Sequence, residues 1–173
     1  MRTMYLLEKT YLDEGVPLET VLRVACMALA PWAVRYEARL IMPRVSDTPT
    51  LRRGTLPTAV DERRAALDTL LTWLTTNTAV EDLFALSLWE ADQARPFFQY
   101  PDTPDVWSLW LTLAQWHALQ TACQSAHLPT DLFFDADQVI CTPVEGNTLL
   151  ARLARRLGFQ KCYTPRQWKR RQT

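Results

Sequence analysis

The side chains most able to bind or react are concentrated at one end of the chain. After Glu145 come Arg152, Arg155, Arg156, Lys161, Arg166, Lys169, Arg170 and Arg171, with no acid among them. All nineteen Asp and Glu residues lie at or before Glu145. The formal net charge of zero therefore conceals a C-terminal stretch of +8 behind a body of −8, eleven basic residues standing there against nineteen acidic ones. Cations spaced in this way, with Tyr163 and Trp168 between them, suit a polyanion: phosphates would be neutralised and bases stacked on the rings. The same residues also serve as a solvated basic face, or as a tail paired with the chain's own acidic surface.

Other chemistry is sparse. Asp135 and Asp137 form a close carboxylate pair beside an apolar segment. Such a pair can raise one pKa or hold a hard cation, but Asp is also a common turn former, and a polar turn is the expectation. The two histidines are His117 and His127. His117 sits beside a helical stripe, where a core-edge histidine bonded to backbone is expected, since no nucleophile or acid is placed to partner it. Cys26, Cys123, Cys141 and Cys162 are scattered with no CxxC or Cys/His cluster, so a zinc site is not expected and buried free thiols are. No G-x-S-x-G, P-loop, H-E-x-x-H or G-x-G-x-x-G occurs. Four glycines against eleven prolines also argue against a Gly-rich phosphate loop.

The elements that must position these residues read as alternating helices and strands. Thr3 to Tyr11 predicts a strand, and Asp13-Glu14-Gly15 a turn. Pro17 opens a helix with Val21, Leu22, Ala25, Ala28 and Leu29 at helical spacing. Val34, Tyr36, Ala38, Leu40 and Met42 alternate with Arg35, Glu37 and Arg39, the period of a half-buried strand, with a helix as the alternative because Ala, Arg and Glu are good helix formers. Pro43 to Pro57 reads as a mobile loop. Thr58 with Asp61 resembles a capping box ahead of the Leu67, Leu70, Leu71, Leu74 stripe. Asp82 to Trp89 reads as a buried strand or a helical turn, its length and aromatics leaning to strand, and the aromatics of Arg95 to Pro104 as a packed loop in preference to an exposed docking surface. The pattern Val106, Leu109, Trp110, Leu113, Trp116, Leu119, Cys123 predicts one helix to about Ala126, closed by His127-Leu128-Pro129. Asp131 to Val144 is an apolar segment broken at Asp135-Ala136-Asp137. Asn147 can cap a short helix whose Leu149, Leu150, Leu153 and Leu157 share a face. Gly158 then stands just past its end, with Phe159 able to fold back on the leucines.

The order strand, Asn, short amphipathic helix, Gly-Phe, carried here by Val139-Ile140-Cys141, Asn147, Leu149 to Leu157 and Gly158-Phe159, resembles the C-terminal half of the GNAT acyltransferase superfamily. It covers the last third of the chain. The resemblance implies a GNAT-like fold, N-acyl transfer and acetyl-CoA as cofactor. The superfamily's pyrophosphate loop, Q/R-x-x-G-x-G/A, has no match: Arg53-Gly54-Thr55-Leu56 is nearest and its spacing does not fit.

The sequence thus predicts an α/β or α+β fold in a single compact domain, helix-rich with a small mixed sheet; the resemblance implies that this would be a degenerate GNAT-like scaffold. Residues 1–145 would form an acidic core, and 146–173 a basic helix and tail packed on it or projecting from it. The expected role is that of a non-catalytic, cytoplasmic binding protein without a cofactor. Its Arg152, Arg155, Arg156, Lys161, Arg166, Trp168, Lys169, Arg170 and Arg171 would contact nucleic acid or an acidic protein surface. A membrane partner is not expected, because no apolar run is long enough to span one. An acyl-CoA-dependent N-acyltransferase is the alternative, and a structural subunit of a larger complex the next.

Overall fold

The computed structural model describes residues 1–8, 10–78, 84–103, 106–143 and 148–172. The elements run β1 (Thr3–Leu7), α1 (Thr10–Asp13), α2 (Leu18–Leu29), β2 (Arg35–Leu40), β3 (Leu51–Thr55), α3 (Val60–Asn77), β4 (Phe84–Trp89), β5 (Phe98–Thr103), β6 (Val106–Leu111), α4 (Leu113–Ser125), β7 (Phe133–Asp135), β8 (Ile140–Pro143), α5 (Leu149–Arg156), β9 (Gln160–Tyr163) and α6 (Pro165–Gln172). Seven strands form one sheet in the order β3-β2-β4-β5-β6-β1-β7, and β8 and β9 form a separate pair. Every described pairing is antiparallel.

The chain is therefore α/β but sheet-rich, where a helix-rich fold with a small mixed sheet was expected. Three strands account for the difference. β3 lies inside the expected Pro43–Pro57 loop; all five of its residues are exposed, so it has no apolar alternation to read. β5 begins in the aromatic stretch expected to be a loop, although Phe97 and Phe98 are buried as anticipated. β6 takes the first turn and a half of the expected Val106–Ala126 helix. There Trp107, Leu109 and Leu111 point into the core at a period of two, and the outward Trp110 hides that alternation. The helix that remains, α4, starts at Thr112. Thr112 Oγ1 accepts from Gln115 N and the Gln115 side chain accepts from Thr112 N, a complete capping box.

Helices α2, α3 and α4 cover one face of the sheet, with α2 packed between the other two. Val21, Leu22, Ala25 and Leu29 of α2, the Leu67–Leu70–Leu71–Leu74 stripe of α3, and Leu119 and Cys123 of α4 meet the inward side chains of β2, β4, β5 and β6 in a single core. The box expected at Thr58 does not form, and Ala59 occupies the cap position of α3 without a side-chain bond. Arg63 holds that corner instead, its guanidinium donating to the carbonyls of Pro31, Pro57 and Thr58. At the far end of the sheet, Glu90 accepts from both Arg2 and the fully buried Gln115, tying β1 and β4 to the start of α4. α4 ends through His127, whose φ of 55° lets Leu128 N donate to Cys123 O at 2.9 Å. None of the described helices is long and apolar enough to cross a membrane.

Candidate functional site

The basic C-terminal residues are carried by a small unit built from β8, α5, β9 and α6. Strands β8 and β9 pair so that Cys141 faces Cys162, and the two form a disulfide. Free thiols were expected at all four cysteines; register overrides that here, because directly opposed cysteines in an antiparallel pair are within bonding reach. Cys26 and Cys123 do remain free and buried. Burial pushes their thiols up to about 12 and about 11, so both stay protonated and inert. The pairing of β8 with β9 joins residues on both sides of position 145.

Helix α5 spans the loop that the disulfide closes. Asn147, the expected cap, lies outside the described residues; Thr148 Oγ1 accepts from Ala151 N at 3.2 Å. The helix closes as a Schellman turn, with Gly158 at φ 77° and Phe159 N donating to Ala154 O at 2.9 Å. A Cβ at Gly158 would meet nothing within 4 Å, so glycine is required there by the sign of φ alone.

The leucine face does not turn inward, nor does Phe159 fold back under cover. Leu150 is 77% exposed, Leu153 52%, Leu157 65% and Phe159 61%. Among the described side chains of α5, Ala151, on a different side of the helix, is the buried one. Alanine allows close approach of the helix, which leaves the i, i+3, i+7 leucine row in solvent. Arg152 and Arg156 are exposed on the same short helix, and Arg155 lies between them in sequence.

The tail helix α6 is partly used by the body. Arg166 lies 3.6 Å over the Tyr11 ring and donates to Glu14 at 2.5 Å, and Arg170 donates to the other Glu14 oxygen. The Arg170 hydrogen bond, joined by Arg166, holds the Glu14 carboxyl below its ordinary pKa. Tyr11 in turn bonds Asp131; burial first, then that bond, pushes its hydroxyl up to about 12. Tyr163 and Trp168 lie with ring centroids 5.6 Å apart. Lys161 and Arg171 lie 5.4 and 5.1 Å from the Tyr163 ring, and Arg171 also bonds its hydroxyl. The fold thus gathers Lys161, Arg166, Trp168, Arg170 and Arg171 around α1 and Tyr163, with Lys169 exposed beside them. Arg152, Arg156 and Phe159 stand apart on and beside α5.

The other candidate residues take structural places. Asp135 Oδ1 accepts from Asp137 N and caps a single 3-10 turn, as the turn reading anticipated. His117 is exposed on α4 and not at the core edge. Among the described residues, no group of three His, Cys, Asp or Glu side chains could hold a metal ion.

A second surface was missed as a site. The sheet face turned away from α2, α3 and α4 carries Arg35, Glu37 and Arg39 on β2 and Arg53 on β3, all set by the β2 register. Trp89 and Ser87 follow on β4, Gln99 on β5, and Ser108 and Trp110 on β6. The signal was present in the alternation of Val34 to Met42, which turns its charged residues to one side, but the partners across the sheet could not be read without β3 and β6.

What fold and site together define is a one-sided antiparallel α/β sheet bearing a disulfide-closed, basic helix-and-hairpin unit. No family model matches the chain, and no curated protein or solved structure does either.

Proposed function

We propose that the chain is a non-catalytic binding protein that docks through α5 onto a partner protein having an apolar groove rimmed by acids. The observation that carries this reading is the exposed row Leu150, Leu153, Leu157 and Phe159, set among Arg152, Arg156 and Lys161 in a stretch with no acid. An apolar stripe at helical spacing is what a groove accepts, and the basic residues beside it favour an acidic rim. Nucleic acid fits this segment less well, because Tyr163 and Trp168 are turned to each other and Arg166 and Arg170 to Glu14. This reading makes the protein a subunit or adaptor in a larger assembly, without a cofactor.

The test is native mass spectrometry of the chain purified from its own host, beside the Leu153→Glu/Leu157→Glu variant. A stoichiometric acidic partner in the wild type that is lost from the variant supports the reading. A partner retained by the variant sinks it. A second reading, acyl-CoA-dependent N-acyl transfer, is favoured only by the local order β8, α5, Gly158-Phe159. It requires acetyl-CoA at millimolar concentration to raise the melting temperature by mass action.

A further inference from the structure

We propose that the face of the seven-stranded sheet turned away from α2, α3 and α4, over β3, β2 and β4 and out to Trp110, is a binding surface for single-stranded nucleic acid on residues outside the C-terminal unit. The argument begins with charge. Residues up to Glu145 total −8, yet this face presents Arg35, Arg39 and Arg53 against the single carboxylate of Glu37. All three arginines are exposed. Arg39 lies 3.8 Å from the Glu37 carboxylate, and the remaining excess of guanidinium on an otherwise acidic body is complementary to a polyanion.

The second observation is the placement of two indoles. Leu88 pairs Phe98, and Phe98 pairs Leu109, so Trp89 and Trp110 stand one residue on from the same row. They point away from the core on strands two apart, about 9.5 Å by sheet spacing. Trp110 is 41% exposed, an unusual position for an indole without a partner surface. Arg35 extends this row: it pairs with Trp89, lies 5.6 Å from its ring centroid and donates to Gln93 O at 3.0 Å, which fixes its guanidinium beside the indole.

Beside Arg35 and Trp89, at the β3-β2-β4 end of the sheet, is a cavity of about 310 Å³ lined by Arg35, Tyr36, Glu37, Arg53, Gly54 and Trp89. The next row inward is polar: Arg53, Glu37, Ser87, Gln99 and the buried Ser108 follow one another across five strands. Planar bases would lie on the indole rings while Arg35, Arg39 and Arg53 meet the phosphates. Such contacts tolerate any sequence, since every base has a π-face.

The test is fluorescence anisotropy with a labelled oligo(dT) between about 50 and about 200 mM salt. Three phosphate contacts on a single strand give a log–log slope of about −2, a fourfold loss of affinity per doubling of salt. Trp110→Ala should weaken binding about 5- to 150-fold, the range for one lost stacking partner, and Trp110→Phe should restore much of it. Arg53→Glu, an exposed change on the edge strand that leaves the core alone, should abolish binding at the higher salt. The Leu153→Glu/Leu157→Glu variant should bind oligo(dT) as the wild type does, so this proposal and the docking role of α5 can fail separately. No binding at the lower salt would overturn the proposal. So would undiminished binding by Arg53→Glu, or a loss confined to a Lys169→Ala/Arg170→Ala/Arg171→Ala variant, which would assign the strand to the tail.

Discussion

Removing the Cys141–Cys162 disulfide should free α5 while leaving the main sheet folded. The bond closes a loop of 21 residues of sequence separation. Chain-entropy scaling for a loop of that length gives about 3 kcal/mol of stabilisation, a factor on the order of 10² in the local opening equilibrium. That energy acts mainly on the C-terminal unit, which meets the body through the Arg166 and Arg170 bonds to Glu14 and the Arg166–Tyr11 contact. Trypsin reports the opening directly, since Arg152, Arg155, Arg156 and Lys161 all lie between the two cysteines. In the Cys141→Ser/Cys162→Ser variant, cleavage at these sites should accelerate by about 10²-fold when reclosing is faster than cutting. The melting temperature of the body should move by less than the roughly 6–12 °C that the same energy would give if segment and sheet unfolded together. Equal cleavage rates in wild type and variant would refute the reasoning, because the hairpin would then be held without its covalent closure.

Three further outcomes are expected. Phe98→Ala empties a fully buried position at the centre of the sheet and should cost about 3–5 kcal/mol, read as a lower denaturation midpoint at unchanged slope. Tyr11, raised from 10.0 to about 12, keeps its proton in the folded state where the unfolded chain has lost it. Its contribution to stability is therefore complete below pH 10 and lost as pH rises towards 12, and thermal melts of Tyr11→Phe should show a flatter decline over that window. Thiol titration should find no reactive group in the native protein, two after unfolding, from Cys26 and Cys123, and four after unfolding with reduction.

Much of the helical layer was legible because its residues repeat at one spacing over several turns. The α2 and α3 stripes are core, and β2 is a strand, since Ala38 and Leu40 alternate with exposed Arg35 and Arg39. The sheet was underestimated where a strand's stability comes from its neighbours. β3 is held by β2 at an edge and has no buried side chain of its own, and β6 carries apolar residues on both faces, which a helical period fits equally well. At the C-terminus the charge division was plain in the sequence, but its use was not. Glu14 lies more than 150 positions before Arg170, and no local pattern announces that pairing. The outward leucines of α5 follow the spacing expected of a core helix; only the burial of Ala151 reveals which side meets the body.

The position of β1 governs when this protein can finish folding. It lies between β6 and β7, pairing Thr3 with Leu111 and Leu7 with Phe133. A ribosome adding about 5–20 residues per second needs on the order of 6–26 s to travel from Leu7 to Asp135. Until β6 is made Met4, Tyr5, Leu6 and Leu7 have neither neighbour, and until β7 is made they have only one, while β2, β3 and β4 can already pair in the order β3-β2-β4. The nascent chain therefore trails an apolar, hydrogen-bond-hungry segment behind a partly built sheet, the kind of sequence that holding chaperones bind and that pairs with copies of itself on a crowded polysome.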